Sequence, residues 1–256
     1  MITEKIRLDV LDDGALWRLT FGGTKGNILD RATMADLTSA FARARAFRTL
    51  KAICLEGAGP HFSFGASVQE HLPGEVPAML ASLRALVLEL LESHTVVIAA
   101  VRGQCLGGGL ELASVCHRIV ASPDAKLGQP EIALGVFAPL ASIVLPARLG
   151  RARGEDLCLT GRIVTADEAR AMGLVDEIAA DPAEAAIAWA RSHFGARSAS
   201  SLKLAVRAVR ADLLEKIRRE LPALESLYLN ELMATADAAE GLQAFLDKRP
   251  PAWRHA

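Results

Sequence analysis

The chain has 256 residues, 51% hydrophobic and 23% charged, which is enough to bury one large core or two modest ones. Its 29 basic residues are balanced by 30 acidic ones, for a formal net charge of -1, so no global field draws it to nucleic acid or to an acidic membrane. Cys54, Cys105, Cys116 and Cys158 form no CxxC pair, the histidines lack zinc spacing, no signal-peptide core is visible and no apolar run reaches membrane-spanning length. A soluble cytoplasmic protein without a metal site is expected.

Residues 4 to 21 read as a hairpin, with "KIRLDVL" and "ALWRLTF" as strands and Asp13-Gly14 as the turn. After "GGTKGN", Asp30 can cap a helix running to about Phe47, and "KAICLEG" is a short buried strand ending at Gly57. "GPHFSFGASVQEHLPGEVP" has little period and is a loop carrying at most a short helix. "AMLASLRALVLELLES" is an amphipathic helix, "TVVIAAV" a β-branched buried strand, "GGGLELASVCH" a glycine turn opening into a helix, and "RIVAS" a further strand. The chain is loop-like from 128 to 139, and short helices are expected over 141 to 149 and 151 to 159. The sheet is complete by about Ile178, and beyond Pro182 the pattern is helical until proline stops it at Pro250. The picture is an α/β core carrying a helical C-terminal unit whose apolar content suits a subunit interface.

The three glycines of "RGQCLGGGLELASVCH" raise the question of a nucleotide loop. A dinucleotide fingerprint starting at Gly107 needs glycine where Leu112 stands, and a P-loop starting at Gly103 needs lysine where Gly109 stands. Both fail. Glycines here also suit a tight strand-to-helix turn, and for three glycines alone that reading is favoured. Their setting adds a second one: amides near Gly108 and Gly109 face outward at a helix N-terminus, where negative charge is favoured, as in half of an oxyanion hole. Glu111 falls in the first turn of the same helix, where dipole stabilisation is the plain reading, and Glu131 lies in "GQPEIALG", where an exposed loop carboxylate or a salt bridge is. In an apolar setting the same two carboxylates could share a water and have their pKa values pushed apart, which suits general acid and base work.

The stretch "GQCLGGGLELASVCHRIVASPDAKLGQPEIALG", with "HFSFGAS" upstream and "LTGRIVTADEARAMGLVDEI" and "EGLQAFLDKR" downstream, resembles the enoyl-CoA hydratase/isomerase family, the crotonase superfamily, over essentially the whole chain. The resemblance implies an α/β spiral of ββα units and a coenzyme A thioester substrate. It also implies a core with the acyl-CoA site over 1 to 195 and a helical trimerisation region over 196 to 256, assembled as a homotrimer or as a homohexamer of two trimers. It puts the oxyanion amides on Ala66 and Gly108 and the two catalytic glutamates of the hydratases on Glu111 and Glu131, with no metal or redox cofactor. Relatives that isomerise, hydrolyse or decarboxylate often lack one of the glutamates, so the pair implies hydration.

Two departures from the straight-chain pattern stand out: "VFAPLASIVLPARLG" replaces a glycine-rich turn after the second glutamate, and Ser67 replaces an acid in "FSFGAS". The latter segment and its continuation place Phe64, Val68 and Leu72 nearby. A closer resemblance, to members acting on a cyclic conjugated dienoyl thioester, implies hydration of cyclohexa-1,5-diene-1-carbonyl-CoA to 6-hydroxycyclohex-1-ene-1-carbonyl-CoA in anaerobic breakdown of aromatic compounds. Phe64, Phe137 and Leu140 are the candidates for a ring pocket, and Lys25, Phe245 and Lys248 for coenzyme A contacts. A general 2-enoyl-CoA hydratase is the alternative within the class. An RNA-binding or scaffold relative is the alternative outside it; the net charge of -1 argues against RNA and the intact glutamates against a scaffold.

Overall fold

The structure, a computed structural model, describes residues 5–23 and 25–256; Glu4, which opens the expected hairpin, and Thr24 of the "GGTKGN" loop lie outside them. Strands β1 (Ile6–Leu11) and β2 (Leu16–Phe21) pair antiparallel as expected. Their turn is longer than an Asp-Gly pair: Asp12, Asp13 and Gly14 form a 3-10 turn, all three at positive φ. Helix α1 (Arg31–Ala46) starts where expected because the Asp30 carboxylate accepts from the Thr33 amide at 2.8 Å.

From β2 onward the chain repeats one move: a strand in a large sheet, a shorter step in a second layer, then a helix. β2 is followed by Leu29 and α1; β3 (Ala52–Gly57) by Ser63 to Ala66 and α2 (Val76–Glu92); β4 (Val96–Val101) by β5 (Gln104–Leu106) and α3 (Gly108–Val115). β6 (Arg118–Ala121) is followed by β7 (Lys126–Gly128), a 3-10 turn over Pro130–Leu134, and α4 (Ala141–Leu149). The large sheet has the order β1-β2-β3-β4-β6-β9, parallel from β2 on, with β9 (Glu177–Ile178) at its edge. The second layer runs in parallel bridges from Leu29 to Ala66 and from Ser63 to Cys105, then through β5 and β7 to β8 (Ile163–Thr165). This stack of ββα turns is the spiral. Sequence reading missed β5, β7 and β8, each three residues long and too short to show a period.

Alternation along the parallel strands explains why they read as continuous apolar runs: both faces are covered. Ile53, Leu55, Val97, Ala99 and Val101 face the main core, shared with α1 to α4. Ala52, Cys54, Val96, Ile98 and Ala100 face a second cluster under α7 (Pro182–Phe194). Helices α5 (Arg151–Thr160) and α6 (Ala166–Ala171) flank β8. The 32-residue α8 (Ala199–Asn230), roughly 48 Å long at 1.5 Å per residue, packs on α2 and α4 and is followed by α9 (Ala236–Leu246). Its far end brings Tyr228 against Phe137, ring centroids 5.3 Å apart. No helix among the described residues is long and apolar enough to cross a membrane.

Candidate active site

The glycine run sits between β5 and α3, and each glycine meets something different. Gly107 has φ 52, and a Cβ on it would lie 2.4 Å from Glu131 Oε1, so a side chain there would displace the carboxylate. A Cβ on Gly108 would lie 3.1 Å from the Ala66 amide nitrogen. Gly109 packs against Ser63. Gly108 is the first residue of α3, where an amide has no acceptor within its own helix. Neither the Ala66 nor the Gly108 amide donates to a protein acceptor among the described residues.

Ala66 is held opposite by the second layer. The Leu29 amide donates to the Gly65 carbonyl at 2.9 Å, the Gly65 amide to Ser63 Oγ at 3.0 Å, and Ser63 Oγ to the Asn27 carbonyl at 2.8 Å. Two amides without a protein acceptor among the described residues therefore lie close together, in a space that a side chain at 108 would crowd.

Glu111 lies one turn into α3 and is buried, with Oε1 accepting from the Ala141 amide at the start of α4 at 2.7 Å. Burial raises its pKa, and its hydrogen bond to Ala141 only partly opposes this. Glu131 belongs to the 3-10 turn after β7. The residue is half-buried, but Oε2 is closed off from solvent and finds no hydrogen-bond partner among the described residues. Burial, and then the charge of Glu111, push its pKa up as well. Desolvation of both carboxylates, and the charge of Glu111 acting on Glu131, hold the pair above the ordinary carboxylate range despite the hydrogen bonds they accept.

Two spaces meet at Glu131. The outer one, about 680 Å³, lies in the range of small-molecule sites and is lined by Lys25, Gly26, Phe64, Leu106, Leu242 and Phe245, among others. The inner one, about 20 Å³, is bounded by Gly108, Glu111, Phe137, Met79, Leu83 and Tyr228. Ala66, His71 and Glu131 border both. The inner chamber has room for about one water molecule and none for a six-membered ring.

The structure thus brings Ala66, Gly108, Glu111 and Glu131 together, with Phe137 beside them. Lys25 and Phe245 line the outer cavity. Phe64 lies there too, 45% exposed and packed edge-on against His61, so it borders the cleft rather than the inner chamber. Leu140 lines neither space: it precedes α4 and its side chain is locked into the main core, leaving only its backbone near Glu111. Lys248 is also absent from both walls; the chain turns at φ 54 just after α9 and leaves it exposed.

Sequence reading missed Tyr228 and His71. His71 is held neutral by burial, its Nδ1–H donating to the Ser67 carbonyl at 2.8 Å. A histidine in "EHLP" was visible, but nothing local said that it faces the glutamates. Tyr228 comes from α8, which carries no sequence signal linking it to α3.

Residues 15–256 match the family model described as enoyl-CoA hydratase/isomerase. The chain belongs to the enoyl-CoA hydratase/isomerase family. It is 49% identical, over 95% of its length and 94% of the relative's, to cyclohexa-1,5-dienecarbonyl-CoA hydratase of Thauera aromatica. It is 34% identical to a probable enoyl-CoA hydratase of Bacillus subtilis strain 168, covering 92% of this chain and 94% of that one. Among solved structures, an enoyl-CoA hydratase/isomerase from Xanthobacter autotrophicus Py2 superposes with a TM-score of 0.82 at 26% identity, covering 98% and 100% of the two chains.

Proposed function

We propose that the protein hydrates an unsaturated acyl-CoA thioester, and that its substrate is cyclohexa-1,5-diene-1-carbonyl-CoA. The observation that carries this is the convergence of two amides without a protein acceptor and two desolvated carboxylates, one with an unpaired oxygen, where a ligand-sized cleft meets a water-sized chamber. The relative of nearly half-identical sequence carries the choice of a cyclic diene.

The amides of Ala66 and Gly108 hold the thioester oxygen. The ionised member of the glutamate pair takes a proton from water, whose oxygen bonds to ring carbon C2 while the C1=C2 electrons move onto the thioester oxygen as an enolate. The enolate is conjugated with the remaining C5=C6 bond. Protonation at C5 by the other carboxyl group leaves a C1=C6 double bond, and renumbering gives 6-hydroxycyclohex-1-ene-1-carbonyl-CoA. One water is consumed and neither a redox step nor a metal enters the scheme. The diene is flat and apolar, and the chamber is too small for it, so the ring lies on the cleft side of Ala66 and Glu131, with water alone beyond.

We assign Lys25 and Phe245, which line the outer cavity, to contacts with the coenzyme A moiety. We further assign residues 196–256 to assembly into a homotrimer or a homohexamer in the cytoplasm. Leu204 and Val209 of α8, 65% and 74% exposed, support the assembly. Light scattering on the purified protein tests it. For the activity, the test is loss of thioester absorbance with the cyclic dienoyl-CoA and with crotonyl-CoA, alongside Glu111→Ala and Glu131→Ala. Preference for the cyclic substrate, lost in both variants, is expected; preference for crotonyl-CoA would make this a general 2-enoyl-CoA hydratase instead.

A further inference from the structure

Tyr228 is the sole tyrosine of the chain, it is 1% exposed, and its hydroxyl has no hydrogen-bond partner among the described residues. An unpaired buried hydroxyl costs free energy that a purely structural residue would avoid by being phenylalanine. Tyr228 lines the inner chamber, and so does Glu131, whose Oε2 is a second buried atom without a partner among the described residues. Phe137 packs on the ring edge-on and fixes its plane. A chamber of about 20 Å³ with several polar groups on its wall is what a single bound water requires.

We propose that Tyr228 is a positioning residue that holds the reacting water, its O–H donating to the water oxygen while the water donates to a carboxylate of the Glu111–Glu131 pair. This deepens the hydration reading above and rests on it. With one lone pair of the water occupied by the phenol and one O–H directed at a carboxylate, the other lone pair is aimed at the ring carbon across the chamber mouth. After addition the same oxygen is the product's hydroxyl, so Tyr228 discriminates the hydroxylated thioester from its deoxy counterpart. Burial, and the nearby Glu131 and Glu111, raise the Tyr228 pKa, so the phenol stays a donor across the working pH range.

The test is Tyr228→Phe, which removes one oxygen and keeps the ring packing. With the cyclic dienoyl-CoA, kcat is expected to fall about tenfold at a nearly unchanged KM, the loss of one hydrogen bond. Affinity for the hydroxylated product should fall about 3- to 10-fold, while affinity for cyclohex-1-ene-1-carbonyl-CoA, which lacks the hydroxyl, should not move. Product binding to the wild type should also shift the tyrosine absorption band, a signal the deoxy analogue does not give. An unchanged kcat, or equal weakening of both thioesters, would make Tyr228 a packing residue and overturn the proposal. Wild-type turnover separates the two levels: no hydration of any enoyl thioester overturns the hydratase reading and the water role with it, whereas hydration indifferent to the missing hydroxyl overturns the role of Tyr228 alone.

Discussion

Replacing Gly108 with alanine tests the proposed oxyanion site separately from the fold. The added methyl carbon would stand 3.1 Å from the Ala66 nitrogen and 3.4 Å from the Ala66 Cβ. An acceptor oxygen bonded to that amide must come within roughly 2.7–3.1 Å of the same nitrogen, so the methyl crowds the space around the donor that the proposed thioester oxygen needs. Loss of a single oxyanion donor costs about 10²–10³ in kcat, so a fall of about 10² is expected if the methyl displaces the Ala66 amide. Stability should hardly respond. Gly108 is helical and has no positive φ, so alanine gains up to about 1 kcal/mol of helix propensity, set against a displacement of Ala66 by a few tenths of an ångström. The paired assay is hydration rate by thioester absorbance and thermal unfolding by circular dichroism. A folded Gly108→Ala protein within about threefold of wild-type kcat would refute the placement of the oxyanion at Ala66 and Gly108.

Glu131→Gln should raise the melting temperature above neutral pH. The folded pKa of Glu131 is pushed above its ordinary value of 4.5, so wild-type stability is lost as pH rises from 4.5 through the folded pKa, and glutamine removes that loss; melts from pH 4 to 9 should converge at the acid end. Glu56 behaves in the opposite sense. Burial alone would raise its pKa, but hydrogen bonds from Arg18 and Thr20 and the Arg102 contact hold it below 4.5, so its stabilisation is present above 4.5 and lost as pH falls through the folded pKa. Glu56→Gln should therefore cost about 2–3 kcal/mol at pH 7 by denaturant titration, with kcat unchanged. Lys25→Ala, at the exposed rim of the cleft, should raise KM about 2- to 5-fold in steady-state kinetics and leave kcat alone.

What could be read from sequence was what is encoded locally. Asp30 caps α1 through an amide three residues on, and Gly108 to Glu111 form the first turn of one helix, so spacing alone carries both. The reading weakened wherever position depends on distant elements. Leu140 is close to Phe137 in the chain, yet the entry into α4 turns one side chain into the core and the other toward the chamber. Lys248 follows Phe245 by three residues, but α9 has ended and the helical relation between them is gone. Tyr228 is the converse: an aromatic in a long amphipathic helix reads as core, and only the packing of α8 on α2 and α4 shows where its hydroxyl arrives.

The unequal sizes of the two spaces bear on how such a site separates hydration from hydrolysis of its own thioester. Both reactions need water activated by a carboxylate next to a polarised carbonyl; they differ in which carbon the water meets. In the proposed scheme the amides of Ala66 and Gly108 hold the carbonyl oxygen, and Glu111, held by the Ala141 amide, marks the basic end of the chamber. A chamber that admits one water, walled by Met79, Leu80, Leu83 and Phe137, leaves that water little freedom to migrate toward the carbonyl carbon. Burial keeps both carboxylates desolvated, and Glu131 Oε2 without a partner among the described residues, in a chamber this small. The destabilisation carried by Glu131 is on this view the direct consequence of regiochemical control, and a wall residue cut back from Leu83 to alanine should relax both at once, admitting more water, easing the pKa of Glu131 downward and raising thioester hydrolysis relative to hydration.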